Sequence, residues 1–285
     1  MILKEVHEKS IQHFQKIGIP SARLDADLLL AHALDCERID LYTRFDSPLN
    51  ENEIQKCREL IRRRSKKEPI AYILGSKSFF KSEFLVEPGV LIPRPETELM
   101  VEKALELVDK DEEYCIVDLG CGSGCIGLSL LQELASASLI AVDLSEKALE
   151  ITRKNAERLD LLDRVDCRQM DLYEESLNLD SAKKHIVVMN PPYIAKDDKH
   201  ITEDVLDFEP NEALFAPEQG LAAYKTWLAN IQPQIQKDDF LLAEYGWQQK
   251  DQLRQILDAQ GWKEIHFFKD LAEHDRYFLV RNQDG

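Results

Sequence analysis

The sequence lacks the features that mark several broad classes of protein. It has no apolar run of membrane-spanning length, no internal repeat and no low-complexity tract. Its first residues mix apolar and acidic side chains, which is unlike a signal or transit peptide. Six cysteines are scattered without a C-x-x-C pair, and no His/Cys cluster indicates that Cys121 or Cys125 binds a metal. We therefore expect a protein of the reducing cytoplasm that uses neither a metal nor a membrane.

Negative charge dominates the chain, and it is unevenly distributed. The 285 residues include 36 Lys and Arg against 53 Asp and Glu, a net charge of −17. Residues 1–85 hold 15 of the basic and 13 of the acidic residues, so residues 86–285 hold 21 and 40. An enzyme of nucleic acid needs a positive surface against the phosphates, and the larger part of this chain has the opposite sign. The basic cluster Arg62-Arg-Arg-Ser-Lys-Lys67 is either a contact for RNA or an acidic protein, or the solvated end of a helix.

Length and periodicity predict two domains joined by a short β-hairpin. Helical patterns cover 2–17, 23–34 and 52–66, so residues 1–75 are predicted to form a small helical domain. Residues 76–90 have the pattern of a β-hairpin, and residues 91–285 alternate between helix and strand. Such alternation is typical of an α/β fold with a mostly parallel, Rossmann-like sheet. Two closely spaced strand patterns at 265–268 and 276–280 predict a closing antiparallel hairpin.

A glycine-rich loop predicts a cofactor site. A short apolar strand pattern at 115–119 runs into Gly120-Cys121-Gly122-Ser123-Gly124, and a helical pattern follows at 126–134. Glycines allow a tight turn and the close approach of a ligand to the free N–H groups of a helix N-terminus. The next strand pattern, 139–142, ends at Asp143, where a carboxylate can bind both hydroxyls of a ribose. Together these features indicate a cofactor that contains a nucleoside.

Two cofactors are compatible with the loop pattern alone. Gly122-Ser-Gly-Cys-Ile-Gly127 satisfies G-x-G-x-x-G, the fingerprint of dinucleotide-binding proteins. Asp118, however, lies just before the first glycine, where a carboxylate would meet an amino group and would repel a pyrophosphate. This detail favours S-adenosylmethionine over a nicotinamide dinucleotide.

The tetrapeptide Asn190-Pro191-Pro192-Tyr193 directly follows an apolar strand pattern at 185–189. Each proline fixes its φ angle and lacks an N–H, so the strand ends in a rigid corner. Asn190 Oδ1 and the Pro191 carbonyl can accept the two hydrogens of a planar –NH₂ group, while Tyr193 packs on its π face. An isolated corner of this kind is as often a simple strand-ending turn. Here it lies at the same predicted sheet edge as the cofactor loop, which indicates a site for a nitrogen that accepts a methyl group.

These motifs resemble those of class I methyltransferases that act on planar nitrogen. Longer segments narrow this resemblance, namely A-R-L-D-A-D-L-L-L-A-H at 22–32, E-P-I-A-Y-I-L-G at 68–75, L-I-P-R-P-E-T-E at 91–98, F-E-P at 208–210 and E-Y-G-W-Q at 244–248. With them the chain resembles the peptide chain release factor glutamine N5-methyltransferases over nearly its whole length. N-P-P-Y by itself is shared with amino-methyltransferases of DNA and RNA.

The resemblance implies roles for individual residues. The cofactor contacts would be Asp118, the loop Gly120, Cys121, Gly122, Ser123 and Gly124, the ribose ligand Asp143, Asp171 and Leu172 at the adenine, and Asn190. Asn190, Pro191 and Tyr193 would carry the catalysis, and Pro192 would join them in holding the substrate amide. Phe80, Phe84 and Arg94 are candidates for the walls of the glutamine pocket.

The resemblance further implies the reaction. It is transfer of a methyl group from S-adenosylmethionine to the side-chain amide nitrogen of glutamine in the Gly-Gly-Gln loop of class I release factors, with residues 1–75 helping to recognise that protein. An amide nitrogen is a weak nucleophile, so the site should work by positioning, without a general base. Three alternatives stay open at this point: an amino-methyltransferase of nucleic acid, a nicotinamide-dependent oxidoreductase, and a regulatory protein that binds the cofactor without turnover. No membrane or direct nucleic-acid partner is expected.

Overall fold

The computed structural model describes residues 1–198 and 201–282. The chain divides into two compact units. The first comprises Met1–Ser76 and Thr202–Phe208, and the second comprises Lys77–Ile201 and Glu209–Gly285. A segment distant in sequence therefore joins the N-terminal unit, and no local pattern in the sequence indicates this.

The first unit is helical. Its helices are α1 (Leu3–Lys16), α2 (Ala22–Ala33), α3 (Arg38–Thr43), α4 (Glu51–Ser65), α5 (Ile70–Leu74) and, from the distant segment, α9 (Glu203–Phe208). The predicted helical patterns correspond to α1, α2 and α4, whereas α3 and α5 are too short for an apolar period to be visible. Asn50 caps α4 by accepting from the Glu53 N–H at 3.0 Å, and the Glu53 carboxylate accepts from the Asn50 N–H at 2.9 Å.

Two arginines of the basic cluster are paired within this unit. Arg64 Nε lies 2.6 Å from Asp25 Oδ2, and its Nη1 donates to the Glu68 carbonyl at 3.0 Å. Arg63 Nε donates to the Glu68 carboxylate at 2.9 Å. Arg62 is exposed. The cluster is therefore partly structural, and Arg62 is the arginine in it that most readily meets a partner.

The second unit is built on a sheet of seven strands. A hairpin of β1 (Ser76–Phe79) and β2 (Ser82–Leu85) precedes it, and its strands are β3 (Tyr114–Leu119), β4 (Ser138–Asp143), β5 (Val165–Gln169), β6 (Lys184–Met189), β7 (Phe240–Glu244), β8 (Glu264–Lys269) and β9 (Asp275–Arg281). The strand order is β5-β4-β3-β6-β7-β9-β8. Strands β3 to β7 pair in parallel, and β9 runs antiparallel to both β7 and β8. The predicted fold class is confirmed.

Helices cover both faces of this sheet. The helices of this unit are α6 (Glu98–Leu107), α7 (Cys125–Glu133), α8 (Glu146–Arg158), α10 (Asn211–Leu214), α11 (Pro217–Gly220), α12 (Ala222–Ile231) and α13 (Lys250–Gln260), with 3₁₀ turns at Pro95–Thr97, Leu162–Arg164 and Gln232–Gln234. One apolar layer joins the sheet to α6, α7, α8 and the hairpin, and the other joins it to α12 and α13. Every residue of β3 is buried, as expected for the centre of a covered parallel sheet. In residues 1–198 and 201–282, no helix combines the length and the apolar character needed to cross a bilayer.

The parallel register brings the polar segments to one edge. Leu119 of β3 pairs with Val142 of β4 and with Met189 of β6. The glycine loop, Asp143 and Asn190 directly follow these three residues. All three segments therefore leave the carboxyl edge of the sheet side by side, where open α/β sheets bind their ligands.

Candidate active site

A cavity of about 370 Å³ opens at this carboxyl edge, a size within the usual range for small-molecule sites. Its wall includes ten of the residues that the sequence pointed to: Arg94, Gly120, Cys121, Gly122, Ser123, Asp143, Asp171, Leu172, Asn190 and Pro192. Six further candidates lie off the wall: Phe80, Phe84, Asp118, Gly124, Pro191 and Tyr193. The contacts of the individual residues explain these positions.

The glycine loop has left-handed backbone at Gly120, Gly122 and Gly124, with φ of +74°, +56° and +77°. A Cβ added to Gly122 would meet no atom within 4 Å, so the loop leaves open space there for a ligand. At Gly124 a Cβ would come within 2.9 Å of the Thr152 side chain. The loop therefore needs glycine at all three positions for its backbone conformation. At Gly124 it also needs glycine because the loop packs closely against α8 there.

Asp143 is held rigidly at the cavity wall. Its Oδ2 accepts from the Gly122 N–H at 2.9 Å, and its Oδ1 accepts from the Ser145 N–H at 2.9 Å. Burial raises the pKa of this carboxyl, and the backbone hydrogen bonds oppose that effect. Each oxygen keeps a lone pair for a ligand hydroxyl, so the carboxylate can bind a diol without moving.

Asp118 has a different place from the one expected. It is fully buried, its Oδ2 accepts from the Gly127 N–H at 2.9 Å, and it is not part of the cavity wall. Its Oδ1 has no hydrogen-bond partner within the described part of the chain. Burial raises the pKa of Asp118 to about 7. The side chain thus holds the first turn of α7 beneath the loop, and direct contact with an amino group of the cofactor has no support in this geometry.

Aromatic residues line the cavity beyond β5. Asp171 and Leu172 are on the wall, and the Asp171 carboxylate accepts from the Tyr173 N–H at 2.9 Å. The Tyr173 ring meets the Trp227 indole edge to face, with centroids 5.6 Å apart. Tyr173 and Trp227 both line the cavity, although no motif in the sequence marks either residue. Tyr173 could have been found as the aromatic residue next to Leu172, whereas Trp227 lies on a helix with no motif.

The Asn190 corner is linked to two residues far away in sequence. Asn190 Nδ2 donates to Thr97 Oγ1 at 3.4 Å, and Thr97 Oγ1 donates to Glu244 Oε2 at 2.5 Å. The hydroxyl of Tyr193 donates to Glu244 Oε1 at 2.9 Å. Pro191 is buried, and Tyr193 does not face the cavity. Tyr193 therefore anchors the corner through Glu244, which differs from the expected stacking on a substrate.

Three residues were expected to wall the glutamine pocket: Phe80, Phe84 and Arg94. Of these, Arg94 lines the cavity. Its Nη2 donates to Glu209 Oε1 at 2.6 Å, and the same carboxylate accepts from the Ile92 N–H at 3.1 Å. Phe80 occupies the turn between β1 and β2 with φ of +53°, and Phe84 is fully buried in the core. Neither phenylalanine lines the cavity, so the expectation that they wall the pocket is not supported.

The comparisons with known proteins agree on one family. Models of the PrmC N-terminal domain and the methyltransferase small domain match residues 5–75 and 96–209. The release factor glutamine methyltransferase of Burkholderia pseudomallei is 41% identical over 90% of this chain and 91% of that protein. Its counterpart in Koribacter versatilis is 35% identical over 99% of both chains. This chain belongs to the release factor glutamine methyltransferase family.

Other similar proteins are either longer than this chain or similar to it in fold alone. A bifunctional methyltransferase of Rickettsia felis is 35% identical over 97% of this chain, which spans 57% of that protein's length. The catalytic domain of human METTL16 in complex with a MAT2A 3′UTR hairpin has a TM-score of 0.57 at 14% identity, covering 70% of this chain and 76% of that one. A human METTL16 N-terminal domain in complex with SAH has a TM-score of 0.51 at 17% identity, covering 68% and 74%. At such identities the likeness concerns the methyltransferase fold alone.

Membership of this family makes the protein an S-adenosylmethionine-dependent methyltransferase, and the cavity fits that cofactor. The charged side chains on its wall are Arg94, Asp143, Asp171 and Glu212, and Arg94 is bonded to the Glu209 carboxylate. Three carboxylates would repel a pyrophosphate, whereas they suit a sulfonium and an ammonium group. This charge argues against the nicotinamide-dependent alternative. Within residues 1–198 and 201–282, no group of three His, Cys, Asp or Glu side chains could hold a metal ion.

Asn155 is a further site residue that the sequence did not reveal. Its Nδ2 donates to the Ser123 carbonyl at 2.9 Å and to the Leu85 carbonyl at 3.1 Å. Its Oδ1 accepts from the Leu85 N–H at 2.7 Å. One buried amide on α8 thus ties the glycine loop to the hairpin strand β2. A lone Asn in an amphipathic helix has no local pattern that marks such a role.

Proposed function

We propose that this protein methylates the side-chain amide nitrogen of the glutamine in the Gly-Gly-Gln loop of class I peptide chain release factors. The family relation over nearly the whole chain supports the substrate. The observation that carries the chemistry is the amide of Asn190, which lies on the cavity wall beside the glycine loop. A planar –NH₂ group brought there would meet an acceptor oxygen at the place where the cofactor's methyl group is expected.

We assign the cofactor contacts to the cavity wall. S-adenosylmethionine supplies an electrophilic methyl group when it is bound. Asp143 would bind the ribose hydroxyls, since its carboxylate is already fixed by two backbone N–H groups. Asp171 and Leu172 would meet the adenine, with Tyr173 and Trp227 as its apolar surroundings. The backbone from Gly120 to Ser123 would lie against the rest of the cofactor.

Catalysis would depend on the positioning of the substrate amide that accepts the methyl group. Asn190 Oδ1 and the carbonyl oxygen of Pro191 would accept the two amide hydrogens, which aims the nitrogen lone pair and stabilises positive charge as it grows. Pro192 would form part of the wall next to the substrate. Tyr193 would contribute indirectly, because its hydroxyl holds the corner to the buried Glu244.

Recognition of the protein substrate is assigned to two regions. Arg94 lies at the cavity with a third of its side chain exposed, so it can contact the incoming loop while it stays paired with Glu209. Residues 1–75 would act as a recognition domain, with residues 76–90 as a linker and 91–285 as the catalytic domain. Exposed apolar side chains in the helical unit, such as Ile39 at 69% and Leu24 at 44%, suit contact with a protein. We place the reaction in the cytoplasm, where release factors act.

Mass spectrometry of a purified release factor after incubation with the protein and S-adenosylmethionine tests the proposal. We expect a single methyl group on the Gly-Gly-Gln glutamine, formed about 10²-fold more slowly when Asn190 is replaced by Ala. Methylation of RNA or DNA in the same assay, with an unmodified release factor, would instead favour the nucleic-acid alternative. The excess of 40 acidic over 21 basic residues in 86–285 argues against that outcome.

The role of the helical unit is tested with point variants. Ile39→Glu and Leu24→Glu should lower kcat/KM on an intact release factor, since charge at a protein contact is unfavourable. Activity on a short Gly-Gly-Gln peptide should be unchanged, because the peptide reaches only the cavity. Equal losses on both substrates would refute a recognition role for these surfaces.

A further inference from the structure

The orientation of the Asn190 side chain is determined by a short series of hydrogen bonds. Asn190 Nδ2 donates to Thr97 Oγ1 at 3.4 Å, and Thr97 Oγ1 donates to Glu244 Oε2 at 2.5 Å. The other oxygen of Glu244 accepts from the Tyr193 hydroxyl at 2.9 Å. Thr97 is 2% exposed and Glu244 is 1% exposed, so water does not substitute for these partners.

The direction of each bond follows from the chemistry of the groups. Burial raises the pKa of Glu244, and the hydrogen bonds from Thr97 and Tyr193 oppose that effect. In its ionised form Glu244 can only accept, and each of the two hydroxyl groups donates to one of its oxygens. Thr97 has one hydroxyl proton, and it is directed at Glu244. What Thr97 offers to Asn190 is therefore a lone pair, which only the NH₂ end of the amide can use. Within the described part of the chain, the Oδ1 atom of Asn190 is left free as an acceptor.

This orientation matters because the two ends of an Asn side chain are opposite in character. A substrate amide must present its own –NH₂ at the site where the methyl group is transferred. If the Asn190 amide were rotated by 180°, two NH₂ groups would face one another, and the Pro191 carbonyl alone would remain to accept from the substrate amide. Loss of a preorganised acceptor at a reacting centre lowers the rate by a large factor.

The fold holds Glu244 and Thr97 in place for this task. Glu244 is the last residue of β7, which pairs in parallel with β6. In this pairing Ala243 lies beside Met189, so the next residues along the two strands are Glu244 and Asn190. The Tyr224 hydroxyl donates to the backbone carbonyl of Glu244 at 2.6 Å. Thr97 ends the 3₁₀ turn that leads directly into α6.

We propose that Thr97 and Glu244 are positioning residues that fix the amide of Asn190 with Oδ1 towards the methyl-accepting nitrogen. The proposal rests on the proposed function, since it assigns Asn190 to the acceptor amide. Thr97 lies on the cavity wall and Glu244 does not, and the role proposed here requires neither to touch the substrate. Their effect is exerted through the one bond between Thr97 Oγ1 and Asn190 Nδ2.

A double-mutant cycle tests the proposal. Thr97→Val removes the hydroxyl at nearly constant shape and should lower kcat by about tenfold or more, as expected for loss of one organised contact. Thr97→Ser keeps the hydroxyl and should stay close to the parent. In an Asn190→Asp background, both oxygens at position 190 are acceptors, so its orientation no longer matters. There Thr97→Val should change kcat by less than about twofold, and the two substitutions should be strongly non-additive.

Affinity for S-adenosylmethionine serves as the control within the same set of variants, and it should change little in Thr97→Val. An equal loss of kcat from Thr97→Val in both backgrounds would overturn the proposal, because it would mean that Thr97 only supports the fold. Glu244→Gln provides a second variant. A glutamine has one acceptor oxygen where the carboxylate has two, so either Thr97 or Tyr193 loses its acceptor and kcat should again fall.

A spectroscopic measurement separates this inference from the proposed function. The side-chain NH₂ resonances of Asn190 in ¹⁵N-labelled full-length protein should shift in Thr97→Val and remain in place in Thr97→Ser. Unshifted resonances in Thr97→Val would overturn the positioning role whatever the substrate is. If the parent methylates no release factor but the resonances respond as expected, the proposed function fails and the orientation of Asn190 stands.

Discussion

The carbonyl oxygen of Tyr193 lies 2.0 Å from the position that a Cβ on Gly220 would occupy. Gly220 has φ of +83°, and its backbone packs directly against the end of the Asn-Pro-Pro-Tyr corner. The amide of Gln249 donates to the same Tyr193 carbonyl at 2.8 Å. The corner is thus fixed by close backbone contact from a segment after α10, in addition to the rigidity of its prolines.

Gly220→Ala should displace the corner, because the clash is with backbone and no side chain can move aside. We expect kcat to fall at least about tenfold and the melting temperature to drop, since strained backbone and overpacking together cost a few kcal/mol. Gly261→Ala is the matched control. Gly261 also has positive φ, +86°, but a Cβ there meets nothing within 4 Å. It should lose about 1 kcal/mol of stability and keep its kcat.

Asn190→Ala should lower kcat about 10²-fold with little change in affinity for S-adenosylmethionine. The reason is that Asn190 acts on the substrate amide in the transition state, while its removal leaves the prolines in place. Asn190→Asp keeps an acceptor oxygen and should retain more activity than Ala. Steady-state kinetics with the folded fraction measured in parallel provides the check, and an unchanged kcat per folded Asn190→Ala molecule would exclude Asn190 from catalysis.

Asp143→Ala should weaken S-adenosylmethionine binding by about 1.5–3 kcal/mol, since charge-assisted hydrogen bonds to the ribose are lost. Asp143 also accepts from the Gly122 N–H, so part of the loss could come from the loop. Calorimetry with an analogue that lacks both ribose hydroxyls separates the two effects. If the carboxylate acts on the hydroxyls, the substitution should matter far less for that analogue. Equal losses for both ligands would assign Asp143 to the loop alone.

Asp118 should make the stability of the protein depend on pH. Its pKa is about 7 in the folded state against 3.8 ordinarily, because burial and the nearby Asp143 carboxylate disfavour its charge while the Gly127 N–H favours it. The unfolded chain therefore releases this proton at lower pH than the folded one. The associated stability is fully present below about pH 4 and is lost as pH rises through about 7.

Asp118→Asn removes that titration. Urea denaturation without cofactor should show the free energy of unfolding of the variant rising relative to the parent between about pH 4 and 7, and then staying constant. A constant difference between the two proteins across this window would show that Asp118 does not titrate there.

Arg64→Ala should destabilise the helical unit by about 3 kcal/mol, because it leaves the buried Asp25 carboxylate without its partner. Arg62→Ala, two positions away on the exposed side of the same helix, should change stability by less than about 0.5 kcal/mol. Chemical denaturation of both variants measures the difference. Similar small effects would mean that the Arg64 pair is as weak as a surface ion pair.

Much of the site was predictable from local sequence. Apolar runs of strand length, each ending in glycine, acid or Asn-Pro-Pro, identified three neighbouring strands and the residues that follow them. The prediction that they meet succeeded because parallel strands share their carboxyl edge, which the pairing of Leu119 with Val142 and Met189 confirms. The spacing of apolar residues also distinguished the helical N-terminal region from the α/β region. This was possible because the spacing that marks a helix or a strand involves only residues close together in the sequence.

Contacts between distant segments decided the rest. The sequence placed Asp118 and Tyr193 at the ligand, but each is directed away from the cavity by a partner that only folding brings near. Thr97 and Glu244 are 147 residues apart, and no spacing rule joins them. The residue types at the carboxyl edge were determined by the sequence alone. Which atom of each residue faces the ligand was decided by tertiary packing, because a hydrogen-bond donor or acceptor is directed by whichever buried group it meets.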